Sequence, residues 1–133
     1  MRSPMRGPAQ ALVEFALAIS VFMLLVLGTF DLARAYLAYT VVANVAREAS
    51  RYGAAHSADA GWQGSARLAA LNLAVGIDTD PSILIITPSS KTIDALPYIN
   101  VRVTYQFHSL TPGVAALLGN SITLTVDTSA LAG

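Results

Sequence analysis

The feature that most constrains the fold of this chain is an uninterrupted apolar run near its N-terminus. Residues 10–30 carry one charge, Glu14, and no charged residue lies between Phe15 and Phe30. A helix that crosses a bilayer needs about 20 apolar residues, so the run is long enough only if Glu14 lies in or near the lipid. A lone carboxylate at the centre of a spanning helix costs about 2.5–3.5 kcal/mol. The sequence therefore predicts a partner for Glu14.

Composition places this chain in a membrane or in an assembly. Hydrophobic residues make up 54% and charged residues 12% of the 133 residues, whereas soluble domains average about 25% charged residues. The apolar excess lies in the first 50 residues, so it does not indicate a larger core. Eight basic and eight acidic residues cancel, which argues against a nucleic-acid partner because phosphate binding needs a basic face. The lack of cysteine excludes disulfides, thiolate zinc sites and a cysteine nucleophile.

Charges on the two sides of the apolar run predict its orientation in a membrane. Arg2 and Arg6 precede the run, whereas Arg34 beyond it is balanced by Asp31. This bias predicts a single-pass segment in the inner or cytoplasmic membrane, with the N-terminus inside and the rest of the chain outside. A cleaved secretory signal is the alternative, but residues 28–32 make a poor cleavage site and the helical pattern continues through them.

The helix is expected to continue well beyond the apolar run, from about Pro8 to Tyr52, with Gly53 as its C-cap. Good helix formers dominate this stretch, and at 1.5 Å per residue the helix would be roughly 65–70 Å long. Apolar residues recur at three- and four-residue steps on one face of its second half: Leu32, Ala35, Tyr36, Tyr39, Val42, Ala43, Ala46 and Ala49.

Small residues on this second half predict close helix packing. Alanines let neighbouring backbones approach closely, and we predict helix-packing roles for Ala35, Tyr36, Ala43 and Ala46. The alternative is that the alanines face only the chain's own small domain.

The remaining chain predicts a small α+β domain. A short helix is expected over 66–75, with Ser65 as N-cap and Gly76 as its end. Strands are expected over 82–87, 98–107 and 121–128, with a loop or hairpin connection over 88–96. A further connection over 108–120 is expected to contain one helical turn at 114–118. Three strands with one apolar face need a cover, and the amphipathic half of the long helix is the obvious one.

The predicted fold class is therefore α+β. A long N-terminal helix with a protruding hydrophobic half carries a short helix and a three-stranded antiparallel sheet on its C-terminal half. The sequence predicts that the chain is divided into three parts. These are a basic leader at 1–9, a hydrophobic transmembrane or filament-core segment at 10–30, and a globular head at 31–133 that includes the amphipathic half of the long helix.

Candidate catalytic and metal-binding residues are few. His56 and Asp59 lie in a predicted loop, His108 follows a strand, and Asp78 and Asp80 mark a turn, without a recognised ligand spacing. No set of nucleophile, base and orienting group can be named, and no Gly-rich phosphate loop is present. We therefore predict a protein that is not an enzyme, with no metal and no cofactor.

Motifs in three regions of the chain resemble the TadE-like proteins, pilin-like subunits of the tight adherence pilus that are related to type IV pilins. The N-terminal motif is Gln10-Ala11-Leu12-Val13-Glu14-Phe15-Ala16-Leu17. The later helix carries Asp31-Leu32-Ala33-Arg34-Ala35-Tyr36 and Ala46-Arg47-Glu48-Ala49-Ser50-Arg51-Tyr52. Val101-Arg102-Val103-Thr104-Tyr105 with Leu110-Thr111-Pro112 resembles the C-terminal strand and loop of the family.

The resemblance implies specific roles for residues at the N-terminus. A prepilin peptidase would cut between Ala9 and Gln10, which makes Glu14 the fifth mature residue, and Glu14 with Phe15 would set the register of the helix in a filament core. The implied partners are the chain itself or other pilins, the prepilin peptidase, and, indirectly, the assembly platform and its ATPase.

Two functions are open at the level of sequence. The first is a structural subunit, major or minor, of an extracellular filament that leaves the membrane of a bacterial cell envelope. The second is a single-pass membrane protein whose outer domain scaffolds a pilus or a secretion machine without polymerising. An intact N-terminus and tolerance of substitution at Glu14 would indicate the second.

Overall fold

The computed structural model describes residues 7–132 and shows a long helix with a small α+β head on its second half. The helices are α1 (Gly7–Ala55), α2 (Trp62–Leu71) and α3 (Pro112–Leu118), and the strands are β1 (Leu84–Ile93), β2 (Leu96–His108) and β3 (Ser121–Leu131). The predicted α+β fold class is confirmed. Arg2 and Arg6 of the predicted leader lie outside the described residues.

Helix α1 is continuous over 49 residues, and at 1.5 Å per residue it is about 73 Å long. The prediction that Gly53 caps this helix is wrong, because the helix continues to Ala55 and Gly53 is buried. A Cβ atom added at Gly53 would lie 2.8 Å from the Trp62 ring and 2.9 Å from Ile99 Cγ2. Glycine at this position therefore serves close packing rather than termination.

Strands β1, β2 and β3 form an antiparallel sheet in that order. One face of β2 is buried, with Ile99, Val101, Val103, Tyr105 and Phe107 at most 8% exposed, as the alternation of the sequence predicted. This face packs on the second half of α1, whereas α2 packs on α1 and β1. The Thr128 hydroxyl donates a hydrogen bond of 2.9 Å to the Ala46 carbonyl and fixes β3 against α1.

Of the two predictions for 88–96, the structure shows the hairpin rather than the loop, since β1 continues to Ile93 and pairs with β2 along its whole length. Pro88 is tolerated because β1 is an edge strand, where a missing N–H leaves no ladder bond unmade. A two-residue turn at Asp94 and Ala95, with φ values of 51° and 63°, joins the strands. Positive φ at both positions matches the right-handed twist of a hairpin, although alanine is an unusual residue for it.

The short helix also differs from its prediction. It begins at Trp62 and ends at Leu71, with Gly61 as N-cap at a φ of 77° in place of Ser65. The start moves because Trp62, only 7% exposed, is buried against α1. Helix α3 includes the predicted turn over 114–118, and it extends that turn to start at Pro112.

Candidate functional site: an exposed helix and its junction with the head

The first half of α1 forms a large exposed apolar surface, defined here as the stem (residues 7–30). All of its residues are exposed except Val26 and Gly28, which are half-buried. Its exposed large side chains include Leu12, Val13, Phe15, Leu17, Val21, Phe22, Leu25 and Phe30. Soluble monomers rarely expose contiguous apolar patches above a few hundred Å². The stem therefore has the surface of a segment that lipid or protein covers.

The hydroxyl groups of the stem do not need water. Ser20 donates a hydrogen bond of 2.7 Å to the Ala16 carbonyl, and Thr29 donates one of 2.8 Å to the Leu25 carbonyl. Such bonds satisfy polar side chains inside an apolar phase. Within residues 7–132, α1 is the one helix whose length and composition suit a membrane crossing, which fits a membrane anchor.

Glu14 is exposed on the stem, and within residues 7–132 no hydrogen bond or ion pair to its carboxylate is found. Phe15 beside it is 66% exposed. Ala9 and Gln10 lie in the first turn of α1, where both are exposed and where helices fray. Cleavage between Ala9 and Gln10 and a register role for Glu14 and Phe15 stay predictions.

The predicted helix-packing residues do not form one surface. Ala46 is fully buried in the core of the head, Ala35 and Ala43 are half-buried, and Tyr36 is 73% exposed. Ala46 is thus covered by the chain's own head. Packing of Ala35, Tyr36 and Ala43 against other subunits stays a prediction.

The head joins the stem at Asp31, whose side chain is buried. Its Oδ1 atom accepts a hydrogen bond of 3.2 Å from the Leu110 N–H, and its Oδ2 atom accepts one of 2.9 Å from the Thr111 N–H. Arg34 forms an ion pair of 3.2 Å with the same carboxylate. A carboxylate that accepts backbone N–H bonds is held strongly in its charged form. We call this contact the Asp31 clamp.

The electrostatics of the clamp follow from these bonds. Burial works to raise the pKa of Asp31, but the hydrogen bonds from Thr111, Leu110 and Arg34 together outweigh it and hold that pKa below its usual value. The Arg34 guanidinium also lies 5.4 Å from the centre of the Phe107 ring, a cation–π distance. Arg34 thus links the clamp to the end of β2.

Beyond the clamp, the chain packs against the stem itself. The Thr111 hydroxyl donates a hydrogen bond of 3.4 Å to the Leu27 carbonyl. A Cβ atom added at Gly113 would lie 3.1 Å from Leu24 Cδ1, so the start of α3 is in close contact with the stem. The connection that follows β2 therefore reaches below Asp31 onto the apolar half of α1.

An open apolar groove of about 230 Å³ lies above the clamp, between α1 and the end of the sheet. Phe30 and Leu37 of α1 form one wall, and Ile77, Tyr105 and Phe107 form the other. Its lining is mostly apolar, and the one charge on it, Arg34, is already paired with Asp31. Such a groove suits an apolar side chain better than a polar substrate.

Sequence reasoning found the Asp31–Arg34 pair but missed the clamp. The contact joins residues about 80 positions apart, so no local pattern reveals it. The available signal was the presence of both Asp31 and Leu110-Thr111-Pro112 among the motifs of the family resemblance. Those two motifs meet in space.

His56 is held in place by Tyr52. His56 stacks on Tyr52 with ring centres 4.2 Å apart, and its Nδ1 atom lies 3.0 Å from the Tyr52 carbonyl oxygen. Among the described residues, no group of three or more potential metal ligands is found. The stem and its junction with the head at Asp31 are therefore the candidate functional site.

Comparison with known proteins supports the family resemblance. The model of the TadE-like protein family matches residues 9–51, which include most of the stem with Glu14, then Asp31 and most of the second half of α1. No curated protein and no solved structure matches the chain. The suspected family is thus confirmed over that segment. It is a structural family associated with the tight adherence pilus and the cell envelope.

Proposed function

We propose that this chain, whose residues 9–51 match the model of the TadE-like protein family, is a structural pilin-like subunit, major or minor, of a tight adherence pilus. The subunit first resides in the membrane through its stem, with the N-terminus inside. It then polymerises into an extracellular filament by burying the stem among the stems of neighbouring subunits.

The observation that carries this proposal is a folded head on a stem whose apolar side chains are almost all exposed. The buried core of the head begins at Ala38 and includes no residue of the stem. The uncovered apolar residues of the stem favour an apolar environment, because removing apolar surface from water is worth about 25 cal/mol for each Å². Lipid supplies this environment before assembly, and neighbouring helices supply it afterwards.

Glu14 distinguishes a filament core from a simple anchor. An exposed carboxylate without a partner in the described chain is costly in lipid. In a filament it would pair with the free amino group of Gln10 on a neighbouring subunit, once the leader is removed. A register that leaves this charge buried and unpaired would cost about 3–5 kcal/mol, so the pair favours one axial register over the others.

The proposed path requires other proteins. A prepilin peptidase would cut between Ala9 and Gln10, and an assembly platform with its ATPase would extract the subunit from the membrane. The partners in the filament would be further copies of this chain or other pilins. No nucleic acid, cofactor or metal has a part in this path.

The test is Glu14→Gln, expressed together with the pilus machinery of the cell. We expect normal amounts of the variant in the membrane fraction but no filaments in the sheared surface fraction, measured by immunoblot and electron microscopy. Glu48→Gln is the matched control, because it removes an acid from the same helix within the head, and it should leave filaments intact. Normal filaments from Glu14→Gln would contradict the register-setting pair.

The membrane-anchored scaffold remains the competing function, and the same stem surface supports it. It predicts that the chain is extracted by detergent as a monomer or small complex, that it is absent from sheared filaments, and that Glu14→Gln changes nothing. The two functions thus give opposite results in one experiment.

A further inference from the structure

We infer that the segment from Leu110 through α3, here called the foot, is a second membrane contact that lies in the outer interfacial layer of the bilayer beside the stem. This inference rests on the membrane stage of the proposed function. It adds a lipid-binding surface on the head to the spanning helix.

The position of the foot along α1 carries the inference. Its start packs on Leu24, and Thr111 bonds to the Leu27 carbonyl. At 1.5 Å per residue, Leu24 lies about 10 Å below Asp31 along the helix axis. If residues 10–30 span the bilayer, the foot reaches below the outer boundary by about the 5–10 Å that is usual for interfacial helices.

The chemistry of the foot suits this depth. No charged residue occurs between Arg102 and Asp127, and α3 has the sequence Pro-Gly-Val-Ala-Ala-Leu-Leu. Leu110 is 74% exposed, and Pro112 and Ala116 are exposed. The hairpin at the opposite end of β2 carries Lys91 in β1 and Asp94 in the turn instead. The foot itself therefore carries no charged residue, whereas the far end of the head does.

The backbone of the foot is prepared for surroundings with little water. Asp31 accepts the N–H groups of Leu110 and Thr111 at its entry. The Ala115 N–H then donates to the Thr111 carbonyl, and the Gly119 N–H donates to the Ala115 carbonyl. Unpaired N–H groups cost several kcal/mol in hydrocarbon. The inference thus gives the buried Asp31 carboxylate a purpose, which is to satisfy a loop that enters an apolar phase.

Residues above the clamp fit the same placement. Tyr36 is 73% and Tyr39 is 48% exposed, and both follow Asp31 by one to two turns, beside Arg34. Tyrosine is enriched at the level of the lipid headgroups. We assign lipid rather than a second copy as the first occupant, because lipid surrounds the stem at this level before any subunit assembles.

The test uses the full chain, which contains no cysteine, so single cysteines can be labelled cleanly with the polarity-sensitive fluorophore NBD. Ala116→Cys reports on the foot, Phe22→Cys on the stem, and Gln63→Cys on the far end of the head. Each labelled chain is reconstituted at a low protein-to-lipid ratio into vesicles of phosphatidylethanolamine and phosphatidylglycerol. Leu110→Cys provides a second foot probe in case Ala116→Cys disturbs the fold.

We expect the foot probe to shift its emission to the blue, to resist quenching by aqueous iodide and to be quenched by lipids with a doxyl group high on the acyl chain. The stem probe should also resist iodide, but it should be quenched by lipids whose doxyl group lies deeper on the acyl chain. The Gln63 probe should be quenched by iodide and by no doxyl lipid. A foot probe that iodide quenches as fully as the Gln63 probe would overturn the inference while leaving the membrane stage intact.

Protection of the foot probe from iodide that appears only at a high protein-to-lipid ratio would overturn the lipid contact in favour of a contact with a second copy of the chain. Iodide quenching at Phe22 would contradict the membrane stage itself.

Discussion

The two halves of α1 are one continuous helix with opposite relations to the rest of the chain. Below Asp31, nearly every side chain is exposed, whereas above it one face is fully buried, with Val42, Val45, Ala46 and Ala49 at 0% exposure. In the upper half the buried positions are small or β-branched, and the larger Leu37, Tyr36 and Tyr39 point outwards. The head thus covers a narrow strip of small residues, and both halves keep their bulky apolar groups available for lipid or for neighbouring subunits.

The largest expected effect comes from the same substitution made in each half. Val45→Ala should destabilise the head by about 2–3 kcal/mol, because it removes two buried methyl groups and leaves a cavity. Val21→Ala, at a position 62% exposed, should leave head stability unchanged. Denaturant unfolding in detergent, followed by the fluorescence of buried Trp62, measures both. Equal losses of unfolding free energy in Val45→Ala and Val21→Ala would show that the stem folds as part of the head.

Two glycines give a second comparison, between a packed helix position and an open one. Gly53→Ala should destabilise the head by about 1–3 kcal/mol, because the new methyl group collides with Trp62 and Ile99. Gly64→Ala in α2 should stabilise it by up to about 1 kcal/mol, because nothing lies within 4 Å of the added Cβ atom and alanine favours the helix. Far-UV circular dichroism during thermal unfolding gives both values. A neutral Gly53→Ala would contradict the tight α1–α2 contact.

At the boundary between the halves, Asp31→Asn should loosen the clamp at neutral pH. Because hydrogen bonds hold the Asp31 pKa below the ordinary value of 3.8, its contribution to stability is present above pH 3.8 and is lost as the pH falls through the folded pKa. The stability gap between wild type and Asp31→Asn should therefore close at acid pH. Hydrogen exchange of the Leu110 and Thr111 amides should be faster in the variant at pH 7. A difference in unfolding free energy between wild type and Asp31→Asn that grows as the pH falls would contradict a lowered Asp31 pKa.

The smallest effect is expected at the surface of the sheet, away from α1. Arg102 and Asp127 form an exposed pair at 2.8 Å between β2 and β3. Exposed pairs contribute little to stability because water screens them, so Asp127→Asn should change the unfolding midpoint only marginally, and less so at high salt. A loss comparable to that of Val45→Ala would show that the sheet, rather than the α1 core, limits stability.

Much of this fold is readable from sequence because its strongest signals are periodic. The long helix, the alternation along β2 and the third strand all follow from residue spacing. A hairpin over 88–96 was one of two predictions, but its turn at Asp94 and Ala95 was not located, because Ala95 lacks the usual Asn-Gly or Asp-Gly signature. Gly53 was mistaken for a cap because a glycine required by packing and a glycine that ends a helix look alike in one dimension.

The buried face of α1 was predicted only in part. Leu32, Tyr36 and Tyr39 were included because periodicity favours bulky apolar residues as core, yet all three are exposed. Asp31, a charged residue that no hydrophobic pattern would select, is buried by its partners 79 and 80 positions away. Contacts of this length depend on the tertiary fold, so local sequence cannot supply them.

The central claim, that the stem passes from lipid into a filament core, is tested most directly by intact-mass spectrometry of the chain in sheared surface filaments. The account predicts a chain in that fraction whose first residue is Gln10, because removal of residues 1–9 creates the amino group that Glu14 would meet. A chain that retains residues upstream of Gln10 and is found only in the membrane fraction would contradict it.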